Sequence, residues 1–352
     1  MVLDNPLEVK ELDRSGMLRL VSELPQQVEK ALSVSAAVSL PGRGSRFKHV
    51  IVGGMGGSAI AGDIIRTLME ERAGVPCVVV REYEPPCFTG PESLVFCSSY
   101  SGNTEETLSL YEAAKKRRAT LVCLGSGGEL QKRALTDGVP FLKMETGFPP
   151  RAAIGYSFFM IYDVLRRMSI LPVEPGEAEA TVALLKRKCQ EYGQHVPASA
   201  NPAKQLALSL KGKVIVVYGT VSTQCAALRW KCQFNENSKA LAFVNSFPEL
   251  NHNELVGWEG LKSLRVPAFV VVLRDRTDHA RVSKRVQITL EMTGSDGTES
   301  REVWSEGKTR LERIFSLIYE GDFASIYLAL LYKEDPTPVK KIEQLKKRLL
   351  EE

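Results

Sequence analysis

The chain has no CxxC pair among its seven cysteines, no HxxxH or HExxH among its four histidines, and no marked excess of either charge. Each gap excludes a class of protein. The cysteines (Cys77, Cys87, Cys97, Cys123, Cys189, Cys225 and Cys232) are odd in number, and several sit inside apolar runs. Reduced, buried thiols account for them better than a disulfide framework. The scattered histidines lack the spacing of a zinc site. The balance of 46 Lys+Arg against 42 Asp+Glu leaves +4, which gives no footprint for nucleic acid. Any anion site must therefore be built locally. The apolar runs read as too short to cross a bilayer. Residues 1–10 carry Asp4, Glu8 and Lys10 with no apolar signal core, so a cytoplasmic chain without a membrane partner is expected.

What is present is a chain of 352 residues, enough for about two domains at ~150 residues each. Its 44% hydrophobic and 25% charged residues are those of a globular protein, neither disordered nor a coiled coil. Residues 20–38 read as one amphipathic helix. After them come short β-branched runs, each followed by a helical stretch. Val50-Ile51-Val52, Cys77-Val78-Val79-Val80, Leu94-Val95-Phe96-Cys97, Thr120-Leu121-Val122-Cys123-Leu124 and Pro140-Phe141-Leu142 predict five strands. Apolar strands without polar alternation indicate a parallel sheet covered on both faces. Around residues 197–202 the pattern breaks and then restarts. Val214-Ile215-Val216-Val217-Tyr218-Gly219, residues 240–243 and residues 268–273 predict strands, and residues 312–331 a helix. Residues 291–306 show no readable chemistry. The expectation is an α/β protein of two similar domains, each a parallel sheet flanked by helices.

In such sheets ligands bind at the carboxyl ends of strands, where helix N-termini present free N–H groups. Two turns there stand out. Residues 53–58 hold four glycines and Ser58, and Gly56 and Gly57 let the backbone approach an anion closely. Residues 98–104 offer the hydroxyls of Ser99, Ser101 and Thr104, and Asn103 with Glu106 has capping-box spacing. Taken singly, a glycine-rich turn is mostly structural and Ser or Thr at a helix start is mostly a cap. Two such turns on one sheet edge can converge on one phosphate. A P-loop does not fit, because Asp63-Ile64 stands where Lys and Ser/Thr belong. The GxGxxA match at Gly54-Met55-Gly56-Gly57-Ser58-Ala59 has its nearest ribose acid at Glu82, beyond the usual ~20 residues, so a dinucleotide fits poorly. A phosphomonoester held by hydroxyls and amides fits better.

These residues carry a family resemblance. Gly54-Met55-Gly56-Gly57-Ser58 with Gly62-Asp63, and Ser99-Tyr100-Ser101-Gly102-Asn103-Thr104-Glu105-Glu106-Thr107, resemble the sugar isomerase (SIS) domain. Pro150-Arg151-Ala152-Ala153, Asn235-Glu236-Asn237-Ser238-Lys239, Asn251-His252-Asn253-Glu254 and Asp335-Pro336-Thr337-Pro338-Val339 extend the likeness to the bifunctional phosphoglucose/phosphomannose isomerases. The resemblance implies two SIS domains, taken as residues 25–172 and 200–352. A helical arm (1–24) precedes them and a helical connection (173–199) joins them.

It also implies an aldose–ketose isomerase, acting on a phosphorylated hexose without metal or cofactor, through a cis-enediol(ate). By motif, Ser58, Ser99, Ser101 and Thr104, with the Gly56 and Gly57 amides, would hold the phosphate. Glu236 would shuttle the proton, His252 open the ring and Arg151 hold the enediolate. A C-terminal lysine would assist, taken as Lys346 with Lys347 as the alternative. Thr337 is the position associated with tolerance of both C2 epimers. A homodimer with its active site at the subunit boundary is implied as well. The competing expectation is a non-catalytic SIS-domain sensor of sugar phosphates.

Overall fold

A computed structural model describes residues 2–41, 47–264, 266–349 and 351. The chain divides into two compact units, each built on its own parallel sheet. α1 (Pro6–Leu12) and α2 (Met17–Ser22) open the chain and belong to the C-terminal unit. The N-terminal unit comprises Glu23–Lys186 and Glu306–Phe315.

In the N-terminal unit, α3 (Leu24–Ala36) precedes β1 (His49–Gly53), α4 (Gly56–Arg72), β2 (Cys77–Val80) and β3 (Ser93–Ser98). α5 (Glu105–Lys116), β4 (Thr120–Gly125), α6 (Gly128–Thr136), β5 (Phe141–Lys143), α7 (Ile154–Arg167) and the start of α8 (Glu177–Tyr192) complete it. The strands lie parallel in the order β2-β1-β3-β4-β5. β1 and β3 are buried almost throughout, which is why their sequences are continuous apolar runs. Ile51, Val95, Leu110, Tyr111 and Leu130 form one core layer. Phe158 and Phe159 of α7 pack on Phe315 at ring-centroid distances of 5.1 and 5.0 Å. The strand order reverses between β1 and β3, so the two unusual turns stand at the switch point.

Three local expectations need correction. Residues 20–38 are not one helix: α2 ends at Ser22 and α3 restarts at Leu24 with Pro25 in its first turn. Proline lacks an N–H and is tolerated there, but it cannot continue a preceding helix. The turn expected over residues 53–58 ends sooner: α4 begins at Gly56, so Gly56 and Gly57 belong to its first turn. α5 is preceded by Thr104 as N-cap residue, and the Asn103 amide oxygen instead accepts the Glu129 N–H at 2.9 Å.

In the C-terminal unit, α9 (Pro202–Leu210), β6 (Val214–Gly219), α10 (Gln224–Glu236), β7 (Ala242–Ser246), α11 (Glu254–Leu264), β8 (Ala268–Arg274) and α12 (Ala280–Ser295) follow in turn. β9 (Glu299–Trp304), α13 (Arg310–Leu331) and α14 (Lys340–Leu349) end the chain; α13 joins this unit from Ser316. Its strands are parallel in the order β7-β6-β8-β9. The switch point thus lies between β6 and β8, matching β1 and β3. The Lys204 ammonium is fully buried and donates to the carbonyls of Leu3, Gln194 and Val196 and to Asp4 at 2.7–3.1 Å. It ties the first residues of the chain to this unit.

Contrary to the reading of apolar runs, α13 is long and apolar enough to cross a membrane by composition, with 89% of the window buried. Its apolar surface is used in packing. Residues 291–306, silent in the sequence, form the end of α12 and β9.

Candidate active site

The first glycine-rich turn is built by close packing of backbone. A Cβ on Gly54 would lie 2.7 Å from the Ser98 carbonyl oxygen, so only glycine lets the turn rest on the end of β3. Gly56 adopts φ +50° with open space before it, a conformation side chains resist. No side chain caps α4, whose first turn carries Gly57 and the buried Ser58. Its N-terminal dipole and amides therefore face the switch point uncompensated by a cap.

The second turn is held from inside and open outside. The Ser99 and Thr104 hydroxyl oxygens lie 2.9 Å apart, and Ser99 Oγ accepts the Gly102 N–H at 3.1 Å. Ser101 Oγ accepts the Asn103 N–H at 3.2 Å and the residue is exposed. A third turn, Gly125-Ser126-Gly127-Gly128 after β4, supports it. A Cβ on Gly102 (φ +72°) would fall 1.8 Å from the Gly127 carbonyl oxygen, and Ser126 donates to the Tyr100 carbonyl at 2.7 Å. Sequence reading passed over this turn, although three glycines after a strand are the same signal as in the first.

Arg151 joins these turns. It is only 4% exposed, in a short 3-10 turn over Pro150–Ala152. A Cβ on Gly57 would lie 2.9 Å from the Pro150 carbonyl oxygen and 3.1 Å from Arg151 Cα. The buried Gln27 donates to the Ala152 carbonyl at 2.8 Å and accepts the Gly155 N–H at 3.2 Å, clamping that turn. The Tyr100 hydroxyl donates to the Glu145 carbonyl at 3.0 Å and accepts the Phe148 N–H at 2.8 Å. The second, hydroxyl-rich turn thereby fixes the segment leading to Arg151. Gln27 and Tyr100 are contributors that sequence reading missed: Gln27 acts 125 residues away, and no pattern near it marks the role.

Gly57→Ala is therefore expected to push the arginine segment away from α4. Backbone neighbours cannot give way, so the strain should cost about 1–3 kcal/mol. If Arg151 serves the reaction, its displacement should lower kcat by about ten- to a hundredfold. Urea unfolding and steady-state turnover on fructose 6-phosphate check both; wild-type values would mean the close approach is not there.

In the C-terminal unit Glu236 is the last residue of α10 and is half-buried. α13 anchors the helix. Arg229 donates to both Asp322 oxygens at 2.9 and 2.7 Å, and Gln233 donates to the same carboxylate at 2.8 Å. Burial pushes the Asp322 carboxyl up from its ordinary value, against the pull of Arg229 and Gln233. Asn237 donates to the Ser325 hydroxyl at 2.9 Å, Ser238 to the Ser325 carbonyl at 2.5 Å. Lys239 donates to the carbonyls of Asp335 and Pro336 at 2.7 and 3.1 Å, and the Asp335 carboxylate accepts the Thr337 N–H at 2.9 Å. The segments of Glu236 and Thr337 are thus brought together.

His252 ends the 3-10 turn Glu249–His252 and is exposed. Its neighbour Asn251 donates to Thr289 at 2.8 Å. Glu254 accepts from Asn245 at 2.6 Å and from the Tyr218 hydroxyl. Lys346 and Lys347 stand on α14, whose side chains are all exposed.

Two parallel sheets with hydroxyl- and glycine-rich turns at a switch point define a SIS-type sugar-phosphate protein. Residues 45–135 match the SIS domain model, and residues 199–349 match that of the bacterial phospho-glucose isomerase C-terminal SIS domain. The chain is 40% identical to a bifunctional phosphoglucose/phosphomannose isomerase of Caldicellulosiruptor bescii, over 95% of this chain and 99% of that one. It is 38% identical to the protein of the same name from Aquifex aeolicus, over 86% of this chain and 91% of the relative. It belongs to the bifunctional phosphoglucose/phosphomannose isomerase family. In fold it is similar to the crystal structure of a hypothetical protein from Thermus thermophilus. That likeness has a TM-score of 0.76 at 14% identity and covers 98% of this chain and 95% of the other.

Proposed function

We propose that this chain interconverts fructose 6-phosphate with glucose 6-phosphate and mannose 6-phosphate, acting in the cytoplasm on the sugar phosphate alone. One observation carries the reading most: two hydroxyl- and amide-rich turns and a buried arginine meet on one edge of the N-terminal sheet. They suit a phosphorylated sugar in a member of this family. Ser58, Ser99, Ser101, Thr104 and the amides of Gly56 and Gly57 grip the phosphate.

After ring opening assisted by His252 and Lys346, Glu236 takes the proton from C1 of the ketose. The electron pair forms the C1–C2 double bond as the C2 carbonyl becomes an enediolate oxygen, whose charge Arg151 offsets. Fixed charge of this kind contributes on the order of 3 kcal/mol per good donor. A proton then passes from O1 to O2, moving the charge to O1, and Glu236 returns its proton to C2 as the C1 carbonyl forms, so no electron leaves the sugar. Both aldoses share the planar C2 of the enediol, so delivery to either face gives either epimer, with Thr337 governing the choice.

The working form is a homodimer. α14 presents Ile342, Leu345 and Leu349 at 42, 58 and 54% exposure, spaced three and four residues apart. That apolar stripe suits a second copy, which would carry Lys346 away from bulk solvent.

The test is turnover of fructose 6-phosphate by chelator-treated protein, with both aldose phosphates quantified. Both products should form. Activity lost to the chelator and restored by a metal would overturn the mechanism, and binding without turnover would make the chain a sensor.

A further inference from the structure

The sheets of the two units share a design, yet their switch points differ in one respect. After β1 and β3 the turns are open: nothing lies within 4 Å of a Cβ position on Gly56, and Ser101 is exposed. The corresponding places after β6 and β8 are residues 220–223 and 274–278. There a carboxylate already occupies the turn.

Asp278 accepts the Thr220 hydroxyl at 2.6 Å through one oxygen and the Asp275 N–H at 3.0 Å through the other. Its side chain is 2% exposed. Arg274, 3% exposed, points Nε at the same carboxylate from 3.6 Å, beyond hydrogen-bond range. That Nε is buried with no hydrogen-bond partner among the described residues. The rest of its guanidinium pairs with Glu302 and lies over the Trp304 ring at 4.6 Å. The Thr223 hydroxyl accepts the Thr220 N–H and donates to the Leu273 carbonyl, both at 2.9 Å, closing the turn at the start of α10.

A hydroxyl, a backbone amide, a buried cation with a spare donor and a helix N-terminus are the groups that hold a phosphomonoester. We propose that residues 220–223 and 274–278 are a second anion turn of the phosphomonoester type, which this chain holds shut with Asp278. Each chain then binds one sugar phosphate, at the first sheet. This count of one rests on the phosphate reading given above; the closure does not. A phosphate dianion cannot share a dry turn with a buried carboxylate, because like charges repel strongly there. Asp278 also does for α10 what a ligand would do elsewhere. It pins the N-terminal turn of the helix that carries Glu236 at its other end, so that helix is ordered before substrate arrives.

The test titrates inorganic phosphate into the full chain at constant ionic strength, reading heat for stoichiometry and amide shifts for location. In wild type one phosphate should bind per chain. Amides of residues 54–58 and 99–104 should move, while those of 219–224 and 274–278 stay still. Asp278→Ala should bind a second phosphate that moves the latter amides, with at least tenfold tighter apparent affinity there than wild type. Asp278→Asn keeps the plug's shape but removes its charge, so it should bind phosphate there, more weakly than Asp278→Ala. Movement of residues 219–224 in wild type overturns the proposal, and so does a folded Asp278→Ala that gains no site. Should Asp278→Ala fail to fold, the wild-type titration still decides. Silence at residues 54–58 and 99–104 would sink the phosphate reading of the first turns and leave the closed second turn standing or falling on its own amides.

Discussion

Glu236→Gln is expected to lower kcat for fructose 6-phosphate isomerisation by about a hundred- to ten-thousand-fold, the usual worth of a general base. KM should stay near wild type. The substitution removes the proton acceptor yet keeps the side chain's size at a half-buried helix end. The phosphate grip proposed for Ser58, Ser99, Ser101 and Thr104 is far away in sequence, and this change leaves those residues alone. In deuterated water, wild-type enzyme should exchange the transferred hydrogen with solvent while the variant should not. A variant that retains wild-type turnover would remove Glu236 from the mechanism and return the base to another side chain.

How much of this was legible beforehand follows from where each residue's partners lie. β1, β3, β6 and β8 announce themselves because strands buried on both faces must be apolar without interruption. β9 did not: Glu299-Ser300-Arg301-Glu302-Val303-Trp304 is an edge strand, mostly exposed, and its sequence carries no apolar run. The two serine- and glycine-rich turns were readable because their conformation is local, set by the strand before and the helix after. Arg151 is a different case. Beside two prolines it looks like a surface arginine. Its burial depends on Gly57 and Gln27, which the chain brings in from 94 and 124 positions away (151−57 and 151−27). The burial of the proposed enediolate partner was therefore what sequence alone described worst. Asn103 misled for the same reason: its capping spacing was real, but Glu129 took the oxygen first.

Asp322→Asn should both weaken the fold and slow the reaction, and the two losses have one cause. Asp322 is 2% exposed, as is Arg229, whose guanidinium it meets with both oxygens, and Gln233 donates to it as well. Asparagine has the same outline, but it turns an amide donor toward a guanidinium that has only donors and leaves that charge uncompensated. Removing one partner of a buried pair costs about 3–5 kcal/mol. Arg229, Gln233 and Glu236 sit four and three residues apart, on one face of α10. A loosened Arg229 therefore releases the face that presents Glu236, the proposed base. The urea midpoint should fall, and kcat should drop under conditions where the variant is still folded. Replacing the pair with apolar groups, Arg229→Met together with Asp322→Leu, should recover most of the lost stability because no buried charge remains unpaired. Recovered stability with kcat still depressed would mark the ion pair as a positioning device for Glu236. Recovery of both would make it only a packing element. Unchanged unfolding in Asp322→Asn would show that the pair does not anchor α10 at all.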